Sequence, residues 1–361
     1  MGSGAVEHTR RLAELRGADA EAFGGKSASL GELIEAGVPV PPGFALAAAA
    51  FAAFVDEAAL GDEIAAAMDG LDPADVSALR SASERIGTRI RAVALPGSLR
   101  AELGERYAEL GETGGDRKPP VAVRSSALGE DSAEATFAGQ QETFLWVRGA
   151  DAVCDAVRDC WASLYSAEAI GYRARLDDER EPAMGVTVQA MVDAEVSGVM
   201  FTCNPVNGDP STVAINASWG LGLAVVGGEV TPDEYRLNKV TGELTSSTIG
   251  PKTLEYRPDP KGAGTVKVDV EPERSERACL DEGELGELLE VAKLVRGHFG
   301  AEQDIEWALA APRTGERGPF VLQSRPVTTS GPKQGEERPR RSAISMVMSS
   351  FGADVKPGEE D

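Results

Sequence analysis

Residues 303–327 read QDIEWALAAPRTGERGPFVLQSRPV. Two runs rich in apolar and β-branched residues flank a Gly- and Pro-containing stretch, the pattern of a β-hairpin. A strand turns successive side chains to opposite faces. Asp304 and Glu306 therefore share one face, and Ile305 and Trp307 the other. On the returning run Gln323 and Arg325 share a face. Trp307 and Leu322 imply that one face is buried, so the opposite face is held in position. Two carboxylates, an amide oxygen and a guanidinium then meet across the hairpin. Hard oxygen donors suit Mg²⁺, which commonly bridges protein carboxylates and nucleotide phosphates. A guanidinium beside them offsets charge on a phosphoryl group in transfer. A surface ladder of ion pairs is the competing reading of the same residues.

Three stretches upstream can be read the same way. Gly24-Gly25-Lys26-Ser27 looks like the end of a Walker phosphate loop, but Ala20 stands where that motif needs its first glycine. A Gly-Gly-Lys turn opening a helix still binds phosphate through backbone N–H groups and the lysine ammonium. Arg124 ends the run VAVR and faces the polar loop 125–143, which carries Gly129, Gly139 and Thr143. Such a loop closes over phosphates with N–H and hydroxyl donors. Gln189-Ala190-Met191-Val192 joins two halves of different character. Extended backbone there offers donors and acceptors to a purine edge, with Met191 as an apolar wall and Asp193 or Glu195 for the ribose hydroxyls. A helix start, a solvated loop and a plain core strand are the bland alternatives.

The chain of 361 residues predicts two or three compact units. Lys plus Arg total 36 against 59 Asp plus Glu, a net charge of −23. That field repels phosphate, which argues against general binding to nucleic acid or to an anionic membrane. The longest apolar run, Phe44–Phe54, has eleven residues, short of the ~20 that span a bilayer. It reads as a buried or half-buried helix, while residues 21–46 read as a loop, a short helix and, where Pro39, Pro41 and Pro42 force it, an extended segment. The N-terminus shows no secretion signal, and Cys154, Cys160, Cys203 and Cys279 form no CxxC or zinc pattern. A cytoplasmic protein with reduced thiols is expected.

Residues 47–110 have helical periodicity and predict two or three helices, and 151–175 predict one amphipathic helix capped by Asp151. VTVQAMV, GVMFT, TVAINASW and TVKVDV read as strands, and 283–298 as a helix. A helix-rich first half and a sheet-rich second half give an α+β protein. Its lobes are 1–190 and 191–328, and 329–361 form a flexible tail or partner-docking segment with an apolar island at Ala343–Phe351.

Taken together, five stretches resemble the ATP-binding domain of the phosphoenolpyruvate synthase and pyruvate phosphate dikinase family, which also includes rifampicin phosphotransferase. They are GGKSASLGELIEAGVPVPPGF (24–44), VAVRSSALGEDSAEATFAGQQETF (121–144), VQAMVDAEVSGVMFTCNPV (188–206), WGLGLAVVGGEVTPDEY (219–235) and the 303–327 hairpin. The resemblance covers roughly residues 10–328. It implies a two-lobed ATP-grasp fold that binds ATP and Mg²⁺ between its lobes. By motif match, Lys26 and Arg124 contact phosphates, and Gly139 and Thr143 belong to the glycine-rich loop above them. Gln189, Met191 and Val192 form the adenine hinge. Asp304, Glu306 and Gln323 hold Mg²⁺, and Arg325 touches the phosphate in transfer.

Two departures matter. The family commonly has Glu after the GLG turn, where this chain has Leu223. The phosphoryl-accepting histidine of a swivelling domain is also missing, since His8 and His298 sit in no such motif. The resemblance therefore implies the ATP-binding half of an AMP-forming phosphotransferase. The histidine would come from a partner subunit that also binds a small hydroxyl acceptor. That division resembles phenylphosphate and methylbenzyl phosphate synthases, and favours a phenol or aromatic alcohol. A self-contained ATP-grasp carboxylate ligase and a non-catalytic nucleotide-sensing module remain as alternatives.

Overall fold

Residues 8–127, 142–176, 182–311 and 318–327 are described by the computed structural model. The segment 329–361 and most of the loop 125–143, Gly139 included, lie outside those residues. Two units interleave along the chain. One comprises Met1–Glu32, Pro42–Met191 and Gly262–Gly264, the other Leu33–Pro41, Val192–Lys261 and Thr265–Asp361. Helices and strands are mixed, as the α+β reading expects.

The first unit carries a five-stranded antiparallel sheet, order β1-β2-β5-β3-β4. Its strands are β1 (Thr9–Arg11), β2 (Gly43–Leu46), β3 (Val121–Ala127), β4 (Thr143–Val147) and β5 (Met184–Ala190). Eight helices lie between them: α1 (Ala20–Phe23), α2 (Gly25–Glu35), α3 (Ala48–Glu57), α4 (Gly61–Met68), α5 (Val76–Ala92), α6 (Gly97–Gly114), α7 (Ala150–Ser163) and α8 (Ala167–Leu176). The last three residues of α2 fall in the second unit.

One face of this sheet is core. Val121, Val123, Val186, Val188, Phe44 and Leu46 are buried against Phe51 and Phe54 of α3 and Trp161 of α7. Phe54 stacks on Trp161 at 5.2 Å between ring centroids. The spacing of three between Phe51 and Phe54 brings both to one side of α3.

Four expectations are corrected here. The stretch 47–110, expected to hold two or three helices, carries four, α3 to α6, and the apolar run 44–54 opens as strand over Phe44–Leu46, as the extended reading up to 46 has it, before helix begins at Ala48. The helix expected over 151–175 is two helices, and the hydroxyl of Ser166 accepts from Ala169 N–H at 3.1 Å to start the second. Asp151 is not the cap; Gly149 holds that position and Asp151 lies in the first turn. The first half is also less purely helical than its periodicity implies, since five short strands are threaded among the helices.

The second unit carries a six-stranded antiparallel sheet, order β13-β12-β6-β7-β8-β9, and a separate two-stranded ribbon, β10-β11. The strands are β6 (Ala194–Phe201), β7 (Thr212–Trp219), β8 (Asp233–Asn238), β9 (Leu244–Thr248), β10 (Leu254–Pro258), β11 (Thr265–Asp269), β12 (Gln303–Ala310) and β13 (Pro319–Pro326). Its helices are α9 (Leu223–Val226), α10 (Pro272–Ser275) and α11 (Glu282–Phe299). A capping box between Asp281 and Glu284 starts α11. Leu285, Leu288, Leu289, Ala292 and Val295 form its buried stripe. Among the described residues no helix is long and apolar enough to cross a membrane, and all four cysteines are free and buried.

A buried ion pair ties β8 to the segment after β9. Lys252 and Asp233 are both fully buried and bonded to one another. Asp233 also accepts from Gly250 N–H at 3.0 Å, Tyr235 O–H at 3.0 Å and Cys279 N–H at 2.9 Å. Removing one partner leaves an uncompensated charge in the interior, which typically costs about 3–5 kcal/mol. Asp233→Leu is expected to lower unfolding stability by that amount in urea titration. The double variant Asp233→Leu/Lys252→Met should lose less than half as much. Equal losses for the two would refute this account of the pair.

Candidate functional site

In the first unit, Val186 and Val188 of β5 point into the core, so Gly185, Thr187 and Gln189 share the other face. Ladder pairing puts Arg124 of β3 directly opposite Thr187, and Thr143 of β4 directly opposite Arg124. The start of α2 lies against the same strands. Lys26, 6% exposed, donates from Nζ to the carbonyl of Ser125 at 3.0 Å. Ser27 N–H donates to the hydroxyl of Ser126 at 3.4 Å, so a strand residue supplies a cap for the helix. The hydroxyls of Ser27 and Thr187 are bonded at 2.6 Å. Gly24 makes the approach possible: its φ is +85°, and a Cβ there would lie 2.1 Å from the Ser126 hydroxyl. Lys26, Arg124, Thr143 and Gln189 are thus assembled around one polar sheet face, with Arg124 half-buried and Thr143 exposed.

The hinge is only partly as read from sequence. Ala190 N–H donates to Pro42 carbonyl at 2.8 Å, and Met191 N–H to Pro120 carbonyl at 2.9 Å. Two of the backbone donors offered to a purine are therefore committed within the first unit. Gln189 and Met191 belong to that unit, Val192 and Glu195 to the other.

In the second unit, β12 and β13 pair with Asp304 opposite Arg325 and Glu306 opposite Gln323. These four share one face, as the two-residue period demands. Ile305 and Trp307 are fully buried on the other, and a register shift after Glu306 brings the fully buried Val321 opposite Trp307, with Leu322 at the irregularity. Gly198 of β6 lies opposite Trp307, and a Cβ there would meet the indole at 2.8 Å. Arg325 Nε donates to Asp304 Oδ2 at 3.0 Å. On the polar face β6 places Phe201 opposite Asp304 and Val199 opposite Glu306. Both join an apolar cluster with Ala224 and Val225 of α9. Glu195, half-buried, falls on the same face as Ser197 and Val199 by alternation. Leu223 begins α9.

The apolar border has an electrostatic consequence. Burial pushes the Asp304 carboxyl up to about 6; Arg325 pulls it back down and Glu306 adds to the rise. Its Oδ1 is buried with no hydrogen-bond partner. A buried carboxylate oxygen without a partner, beside Glu306 and the Gln323 amide, is a donor set that fits a hard divalent cation. Among the described residues no group of three or more His, Cys, Asp or Glu gathers as a metal site. A cation here would thus draw further oxygens from its ligand.

The AMP/ATP-binding domain of pyruvate phosphate dikinase matches as a family model over residues 20–345. The chain belongs to this family. It is 42% identical over 350 residues to a probable phosphoenolpyruvate synthase of Methanothermobacter thermautotrophicus, covering 96% of this chain and 50% of that protein. To the phosphoenolpyruvate synthase of Pyrococcus furiosus it is 38% identical over 379 residues, covering 94% of this chain and 46% of that one. The dikinase-family chain therefore spans half or less of the length of these curated relatives. A crystal structure from Pyrococcus horikoshii overlaps 68% of the chain and 88% of its own at 14% identity, with a TM-score of 0.30, too low to bear on the fold.

Ser126 and Thr187 have no role in the linear pattern, and Ser27 figures there only as the end of the Gly-Gly-Lys-Ser turn. The signal was present in MGVTVQA, where one hydroxyl interrupts alternating valines. An unfolded aspartate titrates near 4, so between about pH 4 and 6 the native chain holds a proton at Asp304 that the unfolded chain has lost. That contribution to stability is full below about pH 4 and is lost as pH rises through about 6. The urea midpoint of the natural chain should accordingly fall relative to that of Asp304→Asn across this window. A difference that stays constant from pH 4 to 7 would contradict the assignment.

Proposed function

We propose that this chain is the ATP-binding module of a two-component, dikinase-type phosphotransferase with an ATP-grasp fold, its lobes being residues 1–190 and 191–328. The net reaction is ATP, acceptor and water to AMP, phosphate and phosphorylated acceptor. Each polar face contributes nucleotide-binding groups in this reading. Lys26 and Arg124 grip phosphates, and Thr143 and, by motif match, Gly139 belong to the glycine-rich loop that serves them. Gln189, Met191 and Val192 flank the base and Glu195 takes the ribose. Asp304, Glu306 and Gln323 hold Mg²⁺, and Arg325 faces the phosphoryl group in transfer.

One observation carries this proposal: the register that sets Asp304 across from Arg325 and Glu306 across from Gln323. A chance surface ladder would not bury Asp304 to 5% exposure with an oxygen left unbonded. Mg²⁺, when bound, offsets phosphate charge and leaves the arginine to neutralise what develops in transfer. With a net charge of −23, nucleotide binding should depend strongly on that cation.

A histidine on a partner subunit receives the phosphoryl group and passes it to a small hydroxyl compound, a phenol or aromatic alcohol by the resemblance to split synthases. Neither of this chain's two histidines lies on the strands or turn that carry the candidate groups. The reaction would take place in the cytoplasm.

The purified chain is expected to bind Mg·ATP and to form no phosphorylated small molecule alone. Adding a histidine-bearing partner should yield AMP, read by chromatography. ADP as the sole nucleotide product would overturn the proposal and favour a ligase. Arg325→Ala should cut AMP formation by about 10²-fold or more with ATP affinity kept within a few-fold. Unchanged turnover would remove Arg325 from the mechanism.

A further inference from the structure

We propose that the hydroxyl pair Ser27–Thr187 is a positioning element that fixes Lys26 and Arg124 in register for the phosphate chain of a nucleotide. This inference rests on the ATP-binding reading above and names residues that reading does not use.

Thr187 sits between Val186 and Val188 and is 1% exposed; Ser27 is fully buried. Valine favours strands at least as strongly as threonine and fills the same volume. Alanine favours a helix more than serine. A valine–alanine pair would thus satisfy the fold without burying two polar groups, and exchanging both partners for apolar groups of the same shape is often neutral for stability. What the hydroxyls add is direction: a 2.6 Å bond between first turn of α2 and middle of β5 holds only over a narrow range of helix rotation and height.

That rotation matters because of what adjoins each partner. Lys26 precedes Ser27, and its ammonium reaches the carbonyl of Ser125. Arg124, the residue before Ser125, is the direct cross-strand partner of Thr187. Thr187 therefore touches the turn that carries one cation and lies opposite the strand position that carries the other. Gly24 packed on Ser126 and the Ser27 N–H on the Ser126 hydroxyl tie this turn to β3. The hydroxyl pair ties it to β5, where the Phe23 carbonyl also packs on Gly185, and so resists rocking of α2 about β3. Two cations on separate elements grip adjacent phosphates only if their separation is held.

The test compares ATP and AMP affinities, by calorimetry with Mg²⁺ on the full chain, for the natural sequence, Thr187→Val, Thr187→Ser and the double variant Ser27→Ala/Thr187→Val. Thr187→Val should weaken ATP binding about tenfold, in the range of one directional hydrogen bond lost, and AMP binding less than about twofold, since AMP presents a single phosphate. Thr187→Ser should restore ATP affinity to within about twofold. The double variant, which buries no orphaned hydroxyl, should keep the natural melting temperature and still bind ATP weakly. If Thr187→Val lowers ATP and AMP affinity equally, or leaves both unchanged, the pair is structural only and the inference falls while the ATP-binding reading stands. If the natural chain binds ATP no better than AMP, the functional reading itself fails and this inference with it.

Discussion

The burial of Trp307 and Ile305 is the constraint on which the second unit's chemistry depends. A strand cannot hide two large apolar side chains on one face without turning their neighbours to the other. Trp307 and Ile305 are fully buried, so Asp304 and Glu306 are committed to the opposite side. Pairing with β13 then decides what they meet, and a slip of one residue would replace Arg325 and Gln323 with Ser324 and Leu322. The apolar cluster around Val199 and Phe201 dries that side and leaves Asp304 poorly solvated. A carboxylate in such a setting is stabilised by a guanidinium or a cation, and the structure already supplies the first at 3.0 Å.

The first unit uses the same device with a different lid. Valines at 186 and 188 fill the core, and the alternate positions on β5 carry Gly185, Thr187 and Gln189. Here the partner of the polar face is the opening turn of α2, seated through a glycine that leaves no room for a side chain. Lys26 is brought down onto a β3 carbonyl next to Arg124. Lys26 and Arg124 thus lie together in the first unit, and Asp304, Glu306, Gln323 and Arg325 together in the second. The buried Lys252–Asp233 pair, by contrast, is saturated with partners and belongs to stability alone.

Much of this was legible in the linear sequence because a period of two is a local property. The hairpin faces at 304–306 and 323–325, the strand at 121–124 and the helix after Gly24 could all be read from alternation and turn residues. What escaped depended on contacts far apart in sequence. Phe44–Leu46 falls both in the extended segment after the prolines and in the Ala-rich run, and its pairing with β1 and β5 makes it strand. Met191 N–H looked open to a base until Pro120, some seventy residues earlier, took it. The Ser27–Thr187 bond spans 160 positions, and no window of sequence brings those hydroxyls together. The rise in the Asp304 carboxyl likewise comes from burial, in a sheet where β6, a strand distant in the chain, pairs with β12.

Hydrogen–deuterium exchange of the full chain with and without Mg·ATP tests most directly whether both polar faces answer to one nucleotide. Slower exchange is predicted at 24–27 and 121–126 together with 303–306 and 321–325, disappearing in each when Mg²⁺ is chelated. Protection confined to one of these groups, or absent from both at saturating nucleotide, would contradict the account.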